Sequence, residues 1–349
     1  MAFSEGKTTI VLGAGASSEA GLPVGRDLKS KIARLIDIKY KDGFSRTSGS
    51  REIDTAFRIK LQNENGRDLN PYLHACWRIR DAMPQAISID NYLDAHANDE
   101  LTVVAGKLGI AQSILEAEKS SSLYVNRREG REMINFDKVE NTWYNKFVQL
   151  LTENCRVDDL SNNLANLTVI SFNYDRCFEH FLYYAIQNYY RVNSTDAAKM
   201  LSSLSVYHPY GRVGSLPWQR QEIPIEFGAD PHPQSLLDIS AQIRTFTEGT
   251  NPDTSSIDLI RNSVAECDRL IFLGFAFHPM NMNLLSSEGA ESAPKVSYGT
   301  ALGLSNSDRD IVEREIKSLT GNDIKKVELR NDLTCSQLLD EYRRSLTSI

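Results

Sequence analysis

Three short apolar runs, each ending in a turn of small or polar residues and passing into a helical pattern, constrain the fold of this chain more than any other feature. The runs are Thr8 to Leu12, Leu167 to Ser171 and Arg269 to Leu273. Runs of this length, rich in β-branched residues and bounded by turn residues, are typical of buried parallel strands followed by helices. The pattern predicts an α/β fold with a Rossmann-like parallel sheet flanked by helices.

The long segment between the first and second runs carries little strand signal. Trp143, Phe147 and Leu151 recur there at helical spacing, which indicates helices that bury one face. We therefore interpret 41–159 as a mainly helical insertion. Residues 1–40 and 160–349 together are expected to form one Rossmann-like nucleotide-binding domain.

The C-terminal part continues the alternation of strands and helices. A strand is predicted within 295–304, followed by a helix over 305–319 that Ser305 is placed to cap. A final strand over 325–329 and a final helix over 336–346 complete the pattern.

Composition excludes several classes of protein. The chain has 349 residues with 39 Lys and Arg against 46 Asp and Glu, a net charge of −7, which argues against a general nucleic-acid binder. Its strongest apolar run, Leu270 to Phe277, is far shorter than the ~18 residues of a membrane span. Residues 1–7 lead straight into the first strand without a signal-peptide pattern. We expect a cytoplasmic protein that does not act at a membrane.

The five cysteines form no CxxC pair. A cysteine zinc ribbon is therefore not expected, nor is any other metal site. Reduced thiols that pack as small apolar groups are the expected state of these side chains.

The turn Gly13-Ala14-Gly15 would let the backbone approach a phosphate closely, because larger side chains would block the amides. Such a turn alone is weak evidence, since glycine often follows the first strand merely to turn the chain. It also departs from the dehydrogenase pattern GxGxxG, because Ser18 stands three positions after Gly15. A hydride-transferring enzyme is thereby disfavoured.

Four segments in register, with a further short one, give the chain a resemblance to a known family. Residues 13–23, GAGASSEAGLP, resemble the first motif of the sirtuin-like NAD-binding proteins, and 171–175, SFNYD, resemble their bacterial TxNYD motif. Residues 207–211 resemble the histidine and glycine segment that carries the family's base. Residues 273–281 resemble its ribose-side segment, and 88–93 resemble a short SIDxFL motif of the bacterial defence branch.

This resemblance implies a function. It implies an NAD⁺ hydrolase that cleaves the nicotinamide–ribose bond to give nicotinamide and ADP-ribose, with NAD as substrate and no metal. It further implies a regulated effector that depletes NAD in antiphage defence, as a stand-alone subunit that forms homo-oligomers and pairs with a HerA-type ATPase.

The resemblance also assigns roles to residues. It makes His208 the proton acceptor and Asn173 the group that holds a water or a ribose hydroxyl. Asp175 either fixes Asn173 and the nicotinamide end or caps the following helix. The implied nucleotide-binding residues are Gly13, Ala14, Gly15, Ala16, Ser17, Pro23, Arg26, Gly274, Phe275 and Asn281.

Two other functions remain open at this point. An NAD-dependent protein deacylase is disfavoured because the chain lacks the four cysteines of the deacylase zinc module. A module that binds the nucleotide without chemistry would be expected to have lost a catalytic group, yet Asn173 and His208 are both present.

Overall fold

The fold is a parallel sheet between two layers of helices, as expected. The computed structural model describes residues 6–219, 223–250, 256–287, 292, 294–320 and 324–347. The strands are β1 Thr8–Leu12, β2 Lys39–Lys41, β3 Ser45–Ser48, β4 Leu167–Ser171, β5 Ser205–Tyr207, β6 Arg269–Leu273, β7 Val296–Thr300 and β8 Lys326–Arg330.

The α-helices cover most of the remaining described chain. They are α1 Ala14–Ser18, α2 Gly25–Ile36, α3 Arg51–Asn63, α4 Asn70–Ala82, α5 Ile89–Ala95, α6 Glu100–Ser120, α7 Trp143–Thr152, α8 Leu160–Ala165, α9 Cys177–Tyr190, α10 Ser194–Leu201, α11 Pro233–Ser240, α12 Phe246–Gly249, α13 Ile257–Glu266, α14 Pro279–Leu285, α15 Asn306–Lys317, α16 Cys335–Glu341 and α17 Arg343–Thr347. None of the helices in these described ranges is long and apolar enough to span a membrane.

The six-stranded sheet has the order β5-β4-β1-β6-β7-β8, and every pairing in it is parallel. The three runs predicted as strands are β1, β4 and β6, with the predicted ends. From β1 the chain continues to β4 and β5 on one side and then crosses to β6, β7 and β8 on the other. The crevice between the ends of β1 and β6 is therefore the topological switch point, where doubly wound sheets bind ligands.

Alternation along the strands divides the interior into two cores. Val11 and Ile170 belong to one apolar cluster, whereas Ile10 and Ile271 belong to the other. Both faces of the sheet are thus buried by helices, which explains why β1 reads as a continuous apolar run.

The segment 41–159 is helical as expected, apart from the antiparallel hairpin β2–β3. Its helices contribute to both cores and form no core of their own. α4 and α6 pack with α2 on one side of the sheet, and α7 packs with α9 and α16 on the other. The predicted face of Trp143, Phe147 and Leu151 lies fully inside the second core.

A buried ion pair connects the segment 41–159 to the turn after β4. Arg176 Nη2 lies 2.6 Å from Glu118 Oε2, and neither side chain is exposed to solvent. Arg176 Nε donates to Glu118 Oε1 at 3.1 Å, and Nη1 donates to the Ile225 carbonyl at 2.6 Å. The Gly228 amide donates to Glu118 Oε2 at 2.9 Å. The pair therefore fixes α6, the start of α9 and the loop 225–228 relative to one another.

Replacing Glu118 by Gln is expected to lower the free energy of unfolding by about 3 to 5 kcal/mol, because it leaves the Arg176 charge buried without its counter-charge. Glu266→Gln, in the exposed pair with Lys7, is the control and should cost no more than about 1 kcal/mol. Urea unfolding followed by circular dichroism measures both. Equal effects of the two substitutions would contradict this account of the buried pair.

Candidate active site

The turns after β1 and β6 pack directly on each other. The Gly13 amide donates to the Leu273 carbonyl at 3.0 Å, and the Gly15 amide donates to the Gly274 carbonyl at 2.9 Å. A Cβ atom on Gly13 would lie 2.5 Å from the Gly274 carbonyl oxygen, and one on Gly15 would lie 2.8 Å from the Gly274 Cα atom. The glycines are therefore needed for the contact between the two turns, and the amides of Gly13 and Gly15 are already bonded within the protein.

A cavity of about 420 Å³ opens at these turns, within the size range of small-molecule sites. Ten of the thirteen residues predicted for the site line it: Gly13, Ala14, Gly15, Ser17, Pro23, Asn173, Asp175, Gly274, Phe275 and Asn281.

The other three predicted residues do not line this cavity. Ala16 is buried in the second core, and Arg26 is exposed on α2, one turn before Lys29, which does line the cavity. His208 lines a separate and larger cavity of about 1580 Å³. The structure therefore does not bring these three side chains to the cavity at the glycine turn.

Asn173 is held in one orientation by the protein. Its Nδ2 donates to the Gly13 carbonyl at 3.0 Å and to Ser17 Oγ at 2.9 Å, and its backbone amide donates to Ser171 Oγ at 3.3 Å. A carbonyl oxygen can only accept, so the amide nitrogen must be the atom that faces Gly13. Asn173 Oδ1 makes no hydrogen bond within the described residues. This oxygen is the acceptor that the side chain can offer to a ligand in the cavity.

Asp175 lies at the start of α9 and has structural partners. Its Oδ1 accepts a hydrogen bond from the Cys177 amide at 3.0 Å. Burial raises the pKa of its carboxyl group, while hydrogen bonds from Cys177 and Ser17 act in the opposite direction. The N-cap residue of α9 is Arg176, so Asp175 is not the cap itself, but its carboxylate accepts from the first amide of the helix. Its position in the cavity wall leaves contact with a ligand as a prediction.

His208 contacts the backbone of Asn173 but does not line the cavity at the glycine turn. Its Nδ1 lies 3.1 Å from the Asn173 carbonyl oxygen, and its Nε2 lies 2.9 Å from Glu179 Oε1. Arg212 Nη1 donates to the same Glu179 oxygen at 3.2 Å. Burial by itself would raise the pKa of Glu179, but the neighbouring His208 and Arg212 lower it to about 2. The Asn173 carbonyl and the Glu179 carboxylate are both acceptors, so each ring nitrogen of His208 faces an acceptor inside the protein.

Aromatic rings form one wall of the cavity. Phe172 contacts Phe275 with ring centroids 5.0 Å apart, and it contacts Tyr210 edge-on at 5.6 Å. The Tyr210 hydroxyl donates to Asn281 Oδ1. Tyr210 follows His208 by two residues across a turn closed by the Gly211 amide, so the segment predicted to bring His208 into the site brings Tyr210 instead.

Several polar residues of the cavity were not assigned a role from the sequence, and Asp90 and Tyr174 are among them. Asp90 accepts a hydrogen bond from the Tyr174 hydroxyl, and both residues line the cavity. Ser88 caps α5 by accepting from the Asn91 amide at 3.0 Å. The SIDxFL-like segment could have pointed to Asp90. The capping residue Ser88 fixes where α5 begins and therefore where its second residue, Asp90, lies.

Comparison with known proteins adds no family assignment: no protein-family model and no curated protein matches this chain. Within the described ranges, no group of three or more His, Cys, Asp or Glu side chains could hold a metal ion. The five cysteines are buried free thiols, as expected.

Gly274→Ala is expected to destabilise the protein well beyond the about 1 to 2 kcal/mol of a left-handed backbone alone. Gly274 has φ +58°, and an added Cβ would lie 2.0 Å from the Ala16 nitrogen. Gly303→Ala is the matched control, because Gly303 has φ +89° with no heavy atom within 4 Å of the Cβ position. Thermal unfolding of both variants measures the contribution of the contact between the turns. Equal melting temperatures would refute that contribution.

Glu179→Gln is expected to remove stability that is present above pH 4.5 and lost towards pH 2. The folded carboxyl group has a pKa of about 2 against an ordinary value of 4.5. The unfolded chain therefore takes up a proton at this group first as the pH falls, and the wild type loses stability between these two values. Urea unfolding at pH 7, 4.5, 3.5 and 2.5 should show the two proteins converging. A constant difference over that range would exclude an ionised Glu179 as the cause.

Proposed function

We propose that the chain cleaves the bond between nicotinamide and ribose in NAD and releases nicotinamide and ADP-ribose. The observation that carries the proposal is the fixed amide of Asn173. Its two Nδ2 hydrogen bonds, to Gly13 and Ser17, leave Oδ1 as an oriented acceptor in a cavity at the switch point of the sheet. An oriented acceptor beside C1′ would hold a water or a ribose hydroxyl in position for substitution.

The aromatic lining of the cavity suits the nicotinamide that departs. Phe172, Tyr210 and Phe275 offer aromatic surfaces against which a planar nicotinamide ring can stack. A wall of this kind also excludes water other than the one that reacts. The positively charged pyridinium of NAD leaves as neutral nicotinamide, so the protein has to stabilise positive charge on the ribose rather than protonate the leaving group.

The position of His208 supports a positioning role in this reaction. The imidazole holds the carbonyl of Asn173 at 3.1 Å and faces the other cavity. Both of its nitrogens face acceptors, so neither is open to receive a proton from the substrate. For His208 to act as the proton acceptor predicted from the sequence, the loop after β5 would have to rearrange.

The wider role belongs to the same proposal. A regulated effector that depletes NAD in antiphage defence, assembled as a homo-oligomer with a HerA-type ATPase, is what the motif resemblance implies. The net charge of −7 favours recognition of nucleic acid by such a partner rather than by this chain.

Asn173→Ala is expected to lower the rate of nicotinamide release about 100-fold, because the reacting water loses its oriented acceptor. The control is Asn141→Ala, a substitution at an exposed position. Purified wild type and both variants are incubated with NAD and an acetylated peptide, alone and with a candidate ATPase, and the products are identified by mass spectrometry.

The products distinguish the candidate functions. Nicotinamide and ADP-ribose formed without the peptide support hydrolysis, whereas acetyl-ADP-ribose would identify a deacylase. NAD binding without product would identify a nucleotide-sensing module. In the same assay, retention of measurable cleavage by His208→Ala supports the positioning role. Complete loss with intact NAD binding supports proton transfer by the imidazole.

A further inference from the structure

A second carboxylate faces the cavity that contains Asn173. Asp90 is the second residue of α5 and keeps part of its surface open to the cavity. The Tyr174 hydroxyl donates to its Oδ1. Tyr174 directly follows Asn173 in the turn after β4, so one short turn orients both the amide and this carboxylate.

The surroundings of Asp90 suit a group that takes up a proton. Burial raises the pKa of its carboxyl group, and the hydrogen bond from Tyr174 opposes that rise. A carboxylate whose pKa is raised above its ordinary value is a better proton acceptor than an exposed one. The titratable groups that face Asp90 or share its cavity are Lys29, Tyr174, Asp175, Tyr210 and His278.

The other acidic and basic groups are less suited to this role. The Asp175 carboxylate accepts from the Cys177 amide at 3.0 Å and is buried, whereas Asp90 is only half-buried. The two nitrogens of His208 are occupied by Asn173 and Glu179. His278 also lines the cavity, and its interaction with Asp90 lowers the pKa of that carboxyl group against the effect of burial. It is the competing candidate that the experiments have to separate from Asp90.

We propose that Asp90 is the proton acceptor for the water that attacks the ribose, with Tyr174 as its positioning residue. The proposal rests on the function proposed above. The water oxygen forms a bond to C1′, and the bond from C1′ to the nicotinamide nitrogen breaks. The electron pair of that bond leaves with nicotinamide, which becomes neutral. The water proton passes to the Asp90 carboxylate and then to solvent, so the products are ADP-ribose, nicotinamide and one proton.

The first test is Asp90→Asn, which preserves the shape of the side chain and removes its ability to accept a proton. We expect kcat for nicotinamide release to fall about 100-fold or more, while calorimetry gives a dissociation constant for NAD close to that of the wild type. Asp94→Asn is the matched control on the same helix, because Asp94 accepts from the Thr247 amide at 3.1 Å and lies outside the cavity lining. It should keep the wild-type rate.

The second test is Tyr174→Phe, which removes the hydrogen-bond donor without removing the carboxylate. The loss of that donor raises the pKa of Asp90, so the acidic limb of the kcat/KM profile should move to higher pH. A merely structural role of Tyr174 would lower the rate without moving the limb.

The outcomes separate the two proposals. Wild type that binds NAD and releases no nicotinamide contradicts the proposed function and with it the role of Asp90. Wild type that releases nicotinamide while Asp90→Asn is equally fast overturns the role of Asp90 alone. An Asp90→Asn variant that is fully active beside an inactive His278→Asn variant would transfer the role to the histidine. Unchanged unfolding temperatures of the variants show that lost activity is not lost folding.

Discussion

The ion pair between Arg176 and Glu118 is the interaction on which the site depends most. Both charges are fully buried, and removing charges from water is so costly that such a pair persists only where hydrogen bonds satisfy both partners. Here the Ile225 carbonyl accepts from Arg176 and the Gly228 amide donates to Glu118, so both charged groups have further hydrogen bonds. Because Arg176 directly follows the turn 173–175, the pair anchors that turn to α6.

The packing of the glycine turns explains why the cavity lies at the centre of the sheet. The amides of Gly13 and Gly15 donate to the carbonyls of Leu273 and Gly274 at the carboxyl end of β6. This contact leaves no room for a Cβ atom on any of the three glycines. The side chain of Asn173 then donates to the Gly13 carbonyl. Three neighbouring strands are thus joined at their carboxyl ends by backbone hydrogen bonds and by the Asn173 side chain. The aromatic and acidic side chains around them form the cavity wall.

The fold could be predicted from the sequence further than the site could. Buried parallel strands need continuous apolar runs, so β1, β4 and β6 were visible with their ends. The short strand β5 and the hairpin β2–β3 carry few apolar residues and were not predicted. Gly13, Gly15, Gly274 and Asn173 could be placed because they lie within three residues of a strand end. Arg26 could not be placed, because the direction of its side chain depends on how α2 packs.

The orientation of the loop after β5 shows the physical limit of such predictions. His208 and Tyr210 both follow the strand closely, and a motif match does not distinguish which of them faces the nucleotide cavity. That choice is made by the turn in which the Gly211 amide donates to the His208 carbonyl and by a carboxylate on α9, Glu179, that holds the imidazole. The turn is local, but the contact with Glu179 joins residues 29 positions apart and is a consequence of packing. The same packing puts Asp90, 83 positions before Asn173 in the sequence, into the cavity, where only the three-dimensional arrangement identifies it as a candidate proton acceptor.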